Sequence, residues 1–188
     1  TGDYVLATNF TDGPQIYTLA SSTKFAALSG TPPVAKFVNT VGEYVFLMHT
    51  ATDPDKVYYS GIGDLTAWEV GELGSDEQEI PDGGAIQGSA RTSNGLFVFC
   101  IGQINKFTFQ SSGPYAFRRD VVNPSRGCVA PYSIVEAGNG VAYFLDEDGF
   151  YGIAPDGSDQ AIGAEKVNRY FLKNINEDFL EEVQGSVD

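Results

Sequence analysis

The side chains able to do chemistry are few and scattered. His49 is the sole histidine, so any Ser-His-Asp or Cys-His relay has to use it. It closes an apolar run at residues 44–49, and nothing beside it in sequence acts as a partner base. One His and two separated cysteines, Cys100 and Cys128, do not supply a standard four-ligand zinc site, and there is no Cys-x-x-Cys. Asp146-Glu147-Asp148-Gly149 offers clustered oxygens of the kind calcium prefers. Its spacing does not match a twelve-residue calcium loop, and it reads as a hairpin turn with solvated acids. Asp156-Gly157-Ser158-Asp159 reads the same way. Ser60-Gly61-Ile62-Gly63-Asp64 follows a strand but lacks the third glycine and the helix of a dinucleotide site, so it too is a turn. No catalytic residue, metal ligand or cofactor is expected.

The candidates for contact with a partner are Trp68, Arg118, Arg119 and Arg126. Trp68, the only tryptophan, suits a ligand-stacking surface or a plug between packed sheets, and the plug is the plainer reading. The three arginines form the sole basic cluster, with Asp120 and Pro124 among them. They could meet phosphate, answer acids on a neighbouring subunit, or form a plain exposed face. Residues 69–82 carry six acids and no base, and read as a solvated loop at the rim of the fold.

The elements that must hold these residues are short strands. Candidate strands lie at 4–9, 15–19, 35–40, 44–49, 56–60, 86–91, 95–101, 104–109, 133–137, 140–145 and 150–153, rich in Val, Ile, Phe and Tyr. Turn residues bound nearly all of them, among them Asp12-Gly13-Pro14, Ser93-Asn94-Gly95 and Gly138-Asn139-Gly140. Asn-Gly and Asp-Gly supply the positive φ that tight hairpins need. One helical window stands out at 165–183, where Val167, Phe171, Ile175, Phe179 and Val183 recur every four residues.

The strands repeat. "AKFVNTVGEYVFLMHT", "AIQGSARTSNGLFVFCIG" and "YSIVEAGNGVAYFLDEDG" each run strand, glycine-bearing turn, apolar strand. The units begin about 45–50 residues apart, the period of a propeller blade. The expected fold is therefore all-β: a partial β-propeller of about three to four blades of short antiparallel strands with a C-terminal helix, the alternative being a β-sandwich. The division is 1–33, outer strands of a preceding blade; 34–83, 84–130 and 131–164, blade units; and 165–188, a helical segment. Phe46, Met48, Phe97, Phe99, Tyr143 and Leu145 are the expected core. Three legible units do not close a ring, so further blades are expected from a longer parent or from further copies.

One family shares this order of phrases. "VYYSGIGDLTAWE", the acidic stretch ending "EIPDGGAIQGSA", "NGLFVFCIGQINKFTF" and "GCVAPYSIVEAGNGVAYFLDEDGFYGI" together resemble the β-propeller tail proteins of short-tailed phages, the nozzle, hub or tail-accessory proteins below the portal. The resemblance covers about residues 34–153. It implies an architectural role in the virion tail, assembled in the host cytoplasm. It also implies copies of the chain in a ring, contacts with other tail or portal proteins, and transient contact with genomic DNA. No enzymatic activity, membrane or small-molecule substrate is implied.

The composition agrees with a packed protein: 42% hydrophobic and 13% aromatic residues, with 22 glycines. Eleven basic residues against 25 acids give a formal net charge of −14, which repels nucleic acid at range. The two cysteines lie in apolar or glycine-rich surroundings and are expected as free thiols. A carbohydrate- or protein-binding propeller outside viruses, using Trp68, is the alternative function. A glycosidase is a third, but no pair of acids is singled out.

Overall fold

The computed structural model describes residues 3–187; Thr1, Gly2 and Asp188, on which the reading of the chain's ends falls, lie outside them. The described chain is mostly β, in four antiparallel sheets whose strands are adjacent in chain order. Two compact units are present, one of residues 1–81 with 110–116, the other of 82–109 with 117–188.

In the first unit, β1 (Tyr4–Ala7), β2 (Gln15–Thr18) and β3 (Ala26–Ala27) form a three-stranded sheet. A four-stranded sheet follows from β4 (Ala35–Val41), β5 (Tyr44–Thr50), β6 (Lys56–Tyr59) and β7 (Asp76–Glu79). β5 is the apolar run YVFLMHT. It pairs with β4 on one edge and β6 on the other, and Phe46, Leu47 and Met48 are fully buried. A strand hidden on both faces needs a continuous apolar run rather than an alternating one.

The second unit repeats the plan. β8 (Ile86–Thr92), β9 (Gly95–Cys100), β10 (Ile104–Phe109) and β11 (Phe117–Asn123) make one sheet; β12 (Val135–Glu136), β13 (Ala142–Asp146), β14 (Gly149–Ile153) and β15 (Asp159–Ala161) make the other. These two sheets share a core. Phe97, Phe99, Ala90, Ile104 and Cys128 meet Ala142, Phe144, Tyr151 and Ile153, and the Phe99 and Phe144 rings lie 5.0 Å apart. Phe46, Met48, Phe97, Phe99 and Leu145 are fully buried as expected. Tyr143 is only half-buried: it lies on the opposite face of β13 from Phe144, beside a hollow bordered by Gly152 and Ile162.

Several elements differ from the sequence reading. Each four-stranded sheet ends in a polar strand that alternation did not reveal: β7 (DEQE), β11 (FRRDVVN) and β15 (DQA). β7 lies inside the acidic stretch read as a loop. It pairs with β6, and Lys56 Nζ lies 3.2 Å from Glu77 Oε1 while the Tyr59 hydroxyl donates to Asp76 Oδ2 at 3.1 Å. A sheet edge tolerates charge because one side of the strand has no partner strand to satisfy. The segment expected as a strand at 133–137 is a 3-10 turn at Pro131–Ser133 followed by the two residues of β12.

The helical window is also shorter than its periodicity. α1 (Ala164–Asn174) stops where Ile175 turns extended, φ −67° and ψ 143°. The Asn176 side chain then accepts from the Asp178 N–H and starts a separate 3-10 segment, Glu177–Glu182. The expected apolar stripe does not act as one face. Phe171 packs on Phe150 of β14 with ring centroids 4.8 Å apart, whereas Val167 and Phe179 are more than half exposed.

Gly95 shows how a turn signal can be right for another reason. It closes the two-residue hairpin Ser93-Asn94, but it is not among the positive-φ glycines. A Cβ there would stand 1.9 Å from the Phe107 carbonyl oxygen of β10. Glycine is required by the close approach of the neighbouring strand.

Candidate functional site

Among the described residues, a dense meeting of charged side chains surrounds Arg126, on the loop that leaves β11. Its Nη1 lies 2.7 Å from Asp146 Oδ2 and 2.9 Å from Asp148 Oδ1, and its Nε lies 3.1 Å from Asp159 Oδ2. The guanidinium carbon sits 3.6 Å from the centre of the Tyr151 ring, and the Tyr151 hydroxyl donates to Asp148 Oδ2 at 2.9 Å. Asn123 Nδ2 donates to Asp159 Oδ1 at 3.2 Å. Arg126 thus fastens the end of one sheet to the β13–β14 turn and to β15 of the next.

The electrostatics are those of a clasp. Burial works against the Arg126 charge, but the Asp148 hydrogen bond and the nearby carboxylates outweigh it and raise its pKa. Burial pushes the Asp146 carboxyl upward, opposed by backbone N–H donors and by Arg126. The planar guanidinium can serve three carboxylates and a ring face at once, which a lysine ammonium cannot. The turn read as solvated acids holds one nearly buried acid, Asp146, fixed by this arginine.

Arg118, Arg119 and Arg126 each have their own partners and are not gathered round one point. Arg118 Nε pairs with Asp120 Oδ2 at 2.8 Å, two residues along the same strand. Arg119 Nη1 donates to Asn105 Oδ1 on β10 at 3.3 Å. Strand alternation sends adjacent arginines to opposite faces. The signal that would have revealed the clasp is the pair Asp146 and Asp148 bracketing a hairpin, but its partner lies twenty residues away.

Trp68 is half-buried, and its Nε1 donates to the Leu65 carbonyl at 2.8 Å. It borders a shallow cavity of about 200 Å³ with Pro33, Tyr58, Asp76 and Glu77. Just before it, Gly61 and Asp64 pair across a tight turn, Asp64 N–H donating to the Gly61 carbonyl at 3.4 Å, and Asp64 Oδ1 accepts from both the N–H and the hydroxyl of Thr66 at 2.8 Å. The Thr66 hydrogen bonds, the backbone one first, hold the Asp64 carboxyl below its usual pKa. Asp156 Oδ1 is bonded likewise by the N–H and hydroxyl of Ser158.

His49 is the next-to-last residue of β5, at a positive φ of 63°. Phe10 and Phe37 meet its ring edge-on at 5.3 and 5.9 Å. Cys100 and Cys128 are buried free thiols. Burial raises the Cys128 thiol pKa to about 11, and its Sγ lies 3.2 Å from the Ala130 carbonyl oxygen. Among the described residues no three His, Cys, Asp or Glu side chains are placed to hold a metal ion, and no helix is long and apolar enough to cross a membrane.

In comparisons with known proteins, no family model matches the chain, and no curated protein shows significant similarity to it.

Proposed function

We propose that this chain is a structural virion protein, a β-propeller subunit of a phage tail or head-to-tail channel of the nozzle or hub kind. The observation that carries the reading is the recurrence of one design. Three sheets are four-stranded antiparallel meanders, each ending in a polar edge strand, as propeller blades are built. The order of phrases shared with phage tail propellers adds the assignment to a virion. Its partners are then copies of itself in a ring and other tail or portal proteins, assembled in the host cytoplasm, with the genome in transient contact. A net charge of −14 suits a channel that DNA passes rather than one that holds it.

Negative-stain images of the purified protein test this. A closed ring, six-fold or twelve-fold by analogy with the family, is the expected result. A monomer under all conditions counts against it. The second reading, a carbohydrate-binding propeller, draws on the half-buried Trp68 beside a cavity with Tyr58, Asp76 and Glu77. It expects a monomer that binds on a glycan array and loses binding on Trp68→Ala.

A further inference from the structure

Two turns of the second unit carry the same reactive pair. Asn94-Gly95 lies between β8 and β9, and Asn139-Gly140 lies between β12 and β13. An asparagine that precedes glycine can lose its amide without a catalyst. The backbone nitrogen of the glycine attacks the side-chain Cγ, and no Cβ hinders that approach.

The fold treats the two pairs differently. Gly95 is buried at the head of β9, paired with Thr92 on one side and Thr108 on the other. The Asn94 carbonyl accepts from the Phe109 N–H at 3.1 Å, and the Phe107 carbonyl oxygen stands 1.9 Å from where a Gly95 Cβ would be. The peptide between Asn94 and Gly95 is fixed by both neighbouring strands. It cannot swing towards the Asn94 side chain without breaking the sheet.

Asn139 and Gly138 are exposed, Gly140 is half-buried at a φ of 78°, and none of the three belongs to a strand. No atom lies within 4 Å of where a Gly138 Cβ would be. Asn139 Oδ1 accepts from the Val141 N–H at 3.3 Å. That bond folds the side chain back over the Gly140 amide and brings Cγ beside the nitrogen that must attack it. It also puts a backbone donor on the oxygen that becomes negative as the nitrogen adds. The Gly140 N–H donates to the Ala137 carbonyl at 3.0 Å, a single turn bond where Gly95 has a strand on each side. Asp156-Gly157 has a similar turn, with Asp156 Oδ1 bonded by the N–H and hydroxyl of Ser158. Those bonds, the hydroxyl first, keep that carboxyl ionised, and a carboxylate resists the attack that a neutral amide accepts.

We propose that Asn139 is a site of spontaneous deamidation, with water as co-reactant, and that the fold protects Asn94 from the same reaction. The Gly140 nitrogen bonds to Asn139 Cγ as its proton passes to solvent. The Cγ–Nδ2 bond breaks, and ammonia leaves with a proton returned from solvent, so that a five-membered succinimide remains. Water opens the ring at either carbonyl and yields aspartate or isoaspartate. The sum is asparagine plus water to aspartyl product plus ammonia, with nothing oxidised or reduced. The product adds a carboxylate to a chain of net charge −14, and the isoaspartyl form adds one methylene to the main chain between β12 and β13. Glu136, in β12, bonds both the N–H and the Nε of Arg91 in β8, so the lengthened turn falls beside the join of two sheets.

The experiment holds the full chain folded at pH 8 for several days, beside a portion in concentrated guanidinium chloride, and reads both by peptide mass spectrometry. Conversion adds one mass unit, and electron-transfer fragmentation tells isoaspartate from aspartate. Both pairs precede an aliphatic residue, Leu96 or Val141, so the denatured chain is expected to convert them at similar rates. In the folded chain Asn139 is expected to convert at least about tenfold faster than Asn94. Equal rates at the two sites in the folded chain overturn the proposal, as does a slowing of Asn139 on folding by that same factor. A preference for Asn139 that persists in denaturant also overturns it, because the sequence rather than the fold then sets the rate.

Discussion

At the scale of single residues, Arg126 is the side chain with the most to lose. It joins two sheets of one unit through three carboxylates and a ring. Its side chain keeps 21% of its exposure, so solvent screens part of the attraction. Arg126→Ala is expected to lower unfolding free energy by about 1–3 kcal/mol, less than the loss of a fully buried pair. Arg126→Lys is expected to recover only part of it, since an ammonium lacks the planar fork. Urea unfolding of the three proteins measures both. The cysteines make a second prediction. With its pKa raised to about 11 by burial, Cys128 is expected to resist iodoacetamide at pH 8 in the folded protein, and Cys100 likewise by burial alone. Both are expected to alkylate in denaturant without reductant. A disulfide-linked peptide in the unreduced digest would contradict this.

At the scale of elements, the apolar strands were legible and their polar neighbours were not. YVFLMHT and LFVFC announce themselves because both of their faces are covered. DEQE and DQA do not, because an edge strand owes its conformation to the strand beside it. The helix shows the converse. A four-residue apolar period continued to Val183, but the Asn176 cap and the extended Ile175 divide it. Gly95 gives this scale its test. Gly95→Ala must displace the Phe107 carbonyl, and roughly 3 kcal/mol of destabilisation is expected. Asn94→Ala at the adjacent turn position should cost well under that. Phe97→Ala, in the same strand and wholly buried, is expected to cost about 3–5 kcal/mol. Thermal melts followed by near-ultraviolet dichroism compare the three.

At the scale of the whole molecule, acid stability should show two opposed groups of aspartates. Asp64 and Asp156 are held below the ordinary 3.8 by hydrogen bonds from Thr66 and Ser158. Their stabilisation is present above pH 3.8 and is lost as pH falls through their lowered folded values. Asp146 is raised by burial. Its contribution is greatest below 3.8 and declines as pH rises through its folded value. The melting temperature of the double variant Asp64→Asn, Asp156→Asn should therefore depend less on pH between 4 and 2 than that of the parent. An unchanged slope would remove those turns from the account.

The sequence by itself determined the class of fold and the positions of its apolar strands, because burial on both faces demands long runs of Val, Leu and Phe wherever such a strand occurs. It also marked the tight turns, which Gly, Asn and Asp bound in the sequence. Only the tertiary structure decided which charged residues meet. Arg126 is twenty residues from Asp146 and thirty-three from Asp159, and no local pattern encodes a contact made when one sheet packs on another. The same holds for the outer strands and for the end of α1, whose conformations are settled by a neighbouring strand, a capping side chain and the face they cover. Local propensity acts within a few residues, whereas pairing and packing join segments that the chain order keeps apart.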